Sequence, residues 1–137
     1  MLLNVSYNDP NQEQTITNLV GKPFSLRDRV KFSGVGSPKL HIVSSSPKIA
    51  NLLLLDNNLD VCNIEIRPKG IILRFRSILE TYALVIPFYK LSVFKGVSTS
   101  YTIHSDGLKI ELQASRGTTK FFSKIMGLKA RYMENPM

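Results

Sequence analysis

The stretch Cys62-Asn63-Ile64-Glu65-Ile66-Arg67-Pro68-Lys69-Gly70-Ile71-Ile72-Leu73-Arg74-Phe75 decides how this chain is read. Cys62, Ile64 and Ile66 alternate with Asn63, Glu65 and Arg67, the period of two that marks a half-buried strand. Arg67-Pro68-Lys69-Gly70 carries Pro at the second position and Gly at the fourth of a type I turn. Pairing Ile66 with Ile71 across that turn puts Cys62, Ile64, Ile66, Ile71, Leu73 and Phe75 on one face. Arg74 and Arg76 then fall on the other, beside Asn63 and Val61. A slip of one residue would send every apolar side chain to the wrong face, so the register is strongly specified.

Downstream the pattern continues. Ser77-Ile78-Leu79-Glu80 forms the next link, with two large aliphatics where a polar tip is expected. Thr81–Ile86 is an almost continuous apolar strand, which Pro87 ends by withholding a backbone donor. Leu91 and Val93 face inward on a further strand closed by Lys95-Gly96, and Tyr101 and Ile103 do so on the next. Ser105-Asp106-Gly107 makes a tight hairpin, with Gly where a positive φ is needed. Leu108, Ile110 and Leu112 face in on the last strand, with Lys109, Glu111 and Gln113 outside. Ser115 or Thr118 caps one amphipathic helix running from about Gly117 to Tyr132. Its Phe121, Phe122, Ile125, Met126, Leu128 and Tyr132 gather at helical spacing, opposite Lys120, Lys124, Gly127 and Arg131.

Upstream the signals weaken. Lys39–Ser44 alternates Leu40 and Ile42 inward with Lys39, His41 and Val43 outward. Ser46-Pro47 reads as an N-cap and a first helical residue, with Ile49, Leu52, Leu53 and Asp56 on a short helix that Asn57-Asn58 ends. A buried strand over Leu52–Leu55 would draw on the same apolar run. In residues 1–37, Leu2, Leu3 and Val5 suit a short edge strand, Asn8-Asp9-Pro10-Asn11 is turn chemistry and Gln12–Thr17 is polar. Gly34-Val35-Gly36 lacks the following Lys-Ser or Lys-Thr of a nucleotide loop. The expected organisation is an N-terminal extension over 1–37, packed on or beside one domain over 38–137. The expected class is mainly β with a C-terminal helix.

Composition narrows the partners. At 137 residues with 43% hydrophobic and 20% charged, the chain suits a single globular domain with a core of useful size. Eighteen Lys and Arg against ten Asp and Glu give a formal charge of +8, which favours anionic partners or simply solubility. The single cysteine, Cys62, excludes an internal disulfide and alternates with core residues. No basic n-region precedes Met1-Leu2-Leu3, and no apolar run approaches the ~18 residues of a membrane span. A cytoplasmic protein is expected.

Counting Lys39–Ser44, the chain reads as four strands, three strands and one helix. That order resembles the pleckstrin-homology-like (PH-like) barrel from roughly Lys39 to Tyr132. More narrowly, IEIRPKGIILRF (64–75) and YALVIPFYKLSVF (82–94) resemble bacterial PH-like and GRAM-like domains. The first is similar to their strand–turn–strand, the second to their junction at Ile86-Pro87 followed by Leu91 and Val93. The C-terminal helix lacks the Trp common in eukaryotic PH domains, and residues 1–37 have no counterpart. The resemblance implies a barrel of about seven antiparallel strands with the helix plugging one open end.

The inventory for catalysis is thin. His41 and His104 are the only histidines, with no Asp, Glu or Cys at ligand spacing, and Glu65, Glu80 and Glu111 are scattered outward. No catalytic residue, metal site or cofactor is expected. For an anion, Lys69, Arg74 and Arg76 follow a Lys-x4-Arg-x-Arg spacing that resembles the phosphoinositide pattern of PH domains. The register nonetheless sets Lys69 at the turn and both arginines toward the far end, where a solvated face with Glu65 as diagonal partner competes. Ile78 and Leu79 beside Arg76 suit contact with a membrane surface, or burial under the extension or at a dimer contact. Lys120, Lys124 and Arg131 form a basic helix face without the outward aromatics that stack bases, so specific nucleic-acid binding is not expected. The functional expectation is a non-catalytic PH-like binding or scaffold module for a protein or an anionic ligand. The alternatives are peripheral binding to anionic lipid and a structural role through homo-oligomer assembly.

Overall fold

Eight strands and four α-helices make up the described part of the chain: β1 (Leu2–Asn4), α1 (Pro10–Val20), α2 (Leu26–Lys31), β2 (Leu40–Ser45), α3 (Pro47–Leu54), β3 (Val61–Arg67), β4 (Gly70–Ser77), β5 (Glu80–Pro87), β6 (Ser92–Lys95), β7 (Ser100–Ser105), β8 (Leu108–Gln113) and α4 (Arg116–Glu134). They come from a computed structural model that describes residues 1–32, 34–54, 60–77, 79–96, 100–113 and 115–134. The class expected from the sequence, mainly β with a C-terminal helix, holds.

The hairpin that anchors the sequence reading forms in the expected register, with Cys62 opposite Phe75, Ile64 opposite Leu73 and Ile66 opposite Ile71. Lys69 does not take a positive φ, which fits a type I turn rather than a primed one. Gly70 is required for another reason. A Cβ there would meet the Ile86 carbonyl and, at 2.7 Å, a methyl of Val20, so β4 and α1 approach too closely for a side chain. At the other end of the sheet, Ser105-Asp106-Gly107-Leu108 turns with positive φ at both Asp106 and Gly107, the geometry that matches strand twist in a two-residue hairpin.

The ladders run antiparallel in the order β1-β5-β4-β3-β2-β8-β7-β6. β2 is the seam. Its Leu40 and His41 pair with β3, whereas Ile42, Ser44 and Ser45 pair with β8 across a register shift. Such an irregularity bends a strand, so β2 serves both halves. The expected barrel closure is not found. β1 occupies the edge of β5, and among the described residues no ladder joins β1 to β6, so the sheet stays open.

The middle of β4 and β5 is buried on both faces. Inward, Ile64, Ile66, Ile71, Leu73, Phe75, Leu84 and Ile86 join Leu40, Ile103, Ile110 and Leu112 in one core. α4 covers it with Phe121, Phe122 and Ile125, and Phe122 stacks on Tyr101 at 4.5 Å. Full burial of such side chains contributes roughly 1.5–3 kcal/mol each, which makes this helix integral. Met126, expected on the same apolar side, is instead exposed because it lies one residue past the buried stripe. Outward, Ile72, Ala83 and Val85 are covered by Ile16 and Val20 of α1. That second layer explains why Thr81–Ile86 reads as continuously apolar: a strand buried on both faces loses its alternation.

The extension is therefore structured where its sequence gave no period. Asp9 caps α1 by accepting from the Asn11 N–H at 3.0 Å, and Pro10 takes the first helical position. Ile49 and Leu53 are buried on α3, a helix and not a strand through Leu54. Asp56 and Asn57-Asn58, expected at its end, lie outside the described residues. Ser46 does not cap α3 with its side chain. Its hydroxyl accepts from the Lys109 N–H at 2.6 Å and extends the β2–β8 pairing.

Candidate functional site

The outward face of β3 and β4 carries a charge cluster built on Glu65. Its Oε2 accepts from Arg67 Nε at 2.6 Å and its Oε1 from Arg74 Nη1 at 2.8 Å. Glu65 and Arg67 share a face because they are two residues apart on one strand. Arg74 sits diagonally across, opposite Asn63, so the diagonal partnership expected for Glu65 is realised with Arg74. Arg67 is buried and also donates to the Gly21 carbonyl at 3.0 Å, clamping the end of α1 to the turn. Burial pushes the Glu65 carboxyl up, but the hydrogen bonds and charges of Arg67 and Arg74 outweigh it and hold the group below its ordinary value.

The three anion-binding candidates are not brought together. Lys69 lies on the Arg67–Gly70 turn, where its N–H donates to the Val20 carbonyl at 2.8 Å. Arg76 lies six residues beyond Gly70 on β4, about 20 Å away along a strand. Arg74 between them is engaged by Glu65. The spacing in sequence therefore does not converge in space, because a strand carries its residues apart where a compact loop would gather them.

Leu79 is 84% exposed at the β4–β5 tip, whereas Ile78 lies outside the described residues. On α4, Lys120 and Arg131 are exposed, but Lys124 donates from Nζ to the Gly34 carbonyl at 3.0 Å. The helix stripe is thus partly spent on fastening the extension. Cys62 is buried, and desolvation pushes its thiol up to about 12, so it is not a thiolate nucleophile at neutral pH. His104 packs edge-on against Phe94 at 5.2 Å. Among the described residues no three His, Cys, Asp or Glu side chains stand together as a metal site. No helix there is long and apolar enough to cross a membrane.

Two features escaped the sequence reading. The first is the end of the molecule around α2. Phe24 and Phe32 flank this helix and pack edge to face at 5.1 Å against the core. Between them Leu26 and Val30, one helical turn apart, stand 77% and 75% exposed, and α2 buries no residue. Lys22, Arg27, Arg29 and Lys31 lie in the same segment and are all exposed, with Asp28 the one acid from 22 to 31. The i, i+4 spacing of Leu26 and Val30 was visible, but six residues are too few for periodicity to declare a helix.

The second is a cleft of about 570 Å³ between α1 and the outer face of the sheet. Arg67, Arg74, Thr81 and Ala83 line one side, and Asp9, Gln12, Glu13 and Thr17 the other. Its walls come from segments about 60 residues apart, which no local pattern joins. Comparison with family models, with curated proteins and with solved structures finds no match to this chain.

Proposed function

We propose that the chain is a non-catalytic, PH-like binding module that docks on an anionic lipid surface through its α2 end. The observation that carries this reading is the exposed Leu26–Val30 pair within the basic segment 22–31. A helix normally turns its apolar pair to the core. Here Phe24 and Phe32 hold α2 with that pair outward, the arrangement of an interfacial helix. Inserting a Leu or Val contributes roughly 1.5–3 kcal/mol, and each Lys or Arg near an anionic surface about 1 kcal/mol. Lys69 belongs to the same end, because its turn is bonded to Val20 and Gly21 immediately before Lys22. The PH-like reading is supported by the run β2 to β5, then β6 to β8, then α4. It is independent of the docking surface.

Co-sedimentation with phosphatidylserine–phosphatidylcholine vesicles, and with phosphatidylcholine alone, tests it. The chain is expected to pellet with the anionic vesicles only, less so as salt rises. A Leu26→Ser/Val30→Ser variant is expected to stay in solution while keeping its melting temperature, since neither side chain is buried. Failure to pellet with anionic vesicles, or unchanged pelleting of the double variant, overturns the proposal.

A further inference from the structure

The cleft beneath α1 points to a separate activity. Arg67 and Arg74 line its floor, and both are bonded to the Glu65 carboxylate, which is not itself part of the lining. Arg67 uses Nε on Glu65 and Nη1 on Gly21, whereas Arg74 uses only Nη1. A guanidinium has five N–H donors, so Arg74 keeps its Nε and Nη2 groups for a ligand, and its side chain remains 33% exposed. Its unspent donors suit the planar, bidentate recognition of a carboxylate.

The opposite wall restricts what that carboxylate can belong to. Asp9 is occupied in capping α1, but Glu13, one turn further along the helix, has no side-chain partner among the described residues. Within the lining, Arg67 and Arg74 balance Asp9 and Glu13, so a ligand carrying both charges suits the cleft better than a phosphate dianion or a simple cation. A ligand with a carboxylate at one end and an ammonium close by satisfies both sides. Val5, Ile16, Pro23 and Ala83 add an apolar part to the lining. The volume of about 570 Å³ falls within the roughly 300–1,000 Å³ of small-molecule sites. We infer that this cleft binds a small zwitterion of the α-amino-acid type, its carboxylate on Arg74 and its ammonium on Glu13. The inference does not depend on docking through α2.

Amide and guanidinium NMR of the full chain, titrated with glycine, leucine and glutamate, tests it. At least one is expected to give saturable shifts at Arg74 Nε–H, Thr17 and Thr81. For the amino acid that binds, the N-acetyl derivative and the amine lacking the carboxylate are each expected to bind about tenfold more weakly or worse. Glu13 is exposed, so Glu13→Gln leaves the fold intact and is expected to erase the difference between the free and N-acetylated acid. Arg74→Gln, checked for unchanged melting, is expected to erase the difference between the acid and the amine. The absence of saturable shifts with all three amino acids overturns the inference. So does an N-acetyl derivative that binds the unmodified chain as tightly as its parent.

Discussion

The two halves of the sheet share an inner core but treat their outer faces in opposite ways. On β4 and β5 three outward residues, Ile72, Ala83 and Val85, are buried under α1, while Arg74 and Arg76 further along β4 are not. On β6, β7 and β8 the outward residues are Phe94, Thr102, His104, Lys109 and Glu111, and none of these is buried. The difference lies in side chains and not in backbone, since both halves are antiparallel meanders. Three apolar outward residues suffice to recruit an amphipathic helix of only eleven residues. The alternating half has no such lid: apart from the exposed Phe94, it sets polar groups against water.

The strongest way to break that contrast is a charge on each outer face. Val85→Asp is expected to destabilise the fold by about 3–5 kcal/mol, because its carboxylate would be buried under α1 without a partner. Thr102→Asp at the bare face is expected to stay within about 0.5 kcal/mol. Urea unfolding of both variants checks the pair.

A smaller effect is expected from the charge cluster. Glu65→Gln should cost about 1–3 kcal/mol at neutral pH, since two charge-assisted hydrogen bonds lose their charge. Glu111→Gln, whose oxygen only accepts from Ser44 Oγ at 3.0 Å, should change little. The folded-state pKa of Glu65 lies below its unfolded value, so the unfolded chain binds the proton more readily. Its contribution is present in full above the unfolded pKa of about 4.3 and is lost as pH falls through the folded value. The gap between the unmodified chain and Glu65→Gln should therefore close on acidification, which urea unfolding across the acid range measures.

Smallest is the cap of the lid. Asp9→Ala is expected to lower stability by about 1 kcal/mol, and hydrogen exchange should speed in the first turn of α1 before it does in β4.

How far the sequence reached follows the same division. The β3–β4 hairpin was legible because period, turn chemistry and apolar face agree over one short stretch. The last three strands and α4 were legible for the same reason. α1 was not, although Asp9 and Pro10 are sound start signals, because Ile16, Leu19 and Val20 are its only large apolar residues. They gain meaning only opposite Ile72, Ala83 and Val85. Arg74 was singled out from its spacing, but its true neighbours are Glu65 on the paired strand and the α1 wall of the cleft. Arg67 read as a turn residue and proved to be a buried clamp. Closure was the one architectural error, since nothing local to β5 announces that β1 will take its edge.

The seam at β2 has a kinetic consequence. β3–β4, β4–β5, β6–β7 and β7–β8 each join near neighbours in the chain, whereas β2–β8, which joins the two meanders, links residues about 65 to 70 apart, and β1–β5, which adds only an edge strand, residues about 80 apart. Bringing the ends of such a span together costs about 4 kcal/mol of chain entropy beyond the constant for any loop. Each meander can gain contacts before that cost is met, and the seam cannot. The joining of the two meanders should therefore wait on the pairing of Ser44 with Glu111. Substitutions along β2 and β8 should slow folding more than equally destabilising ones under α1.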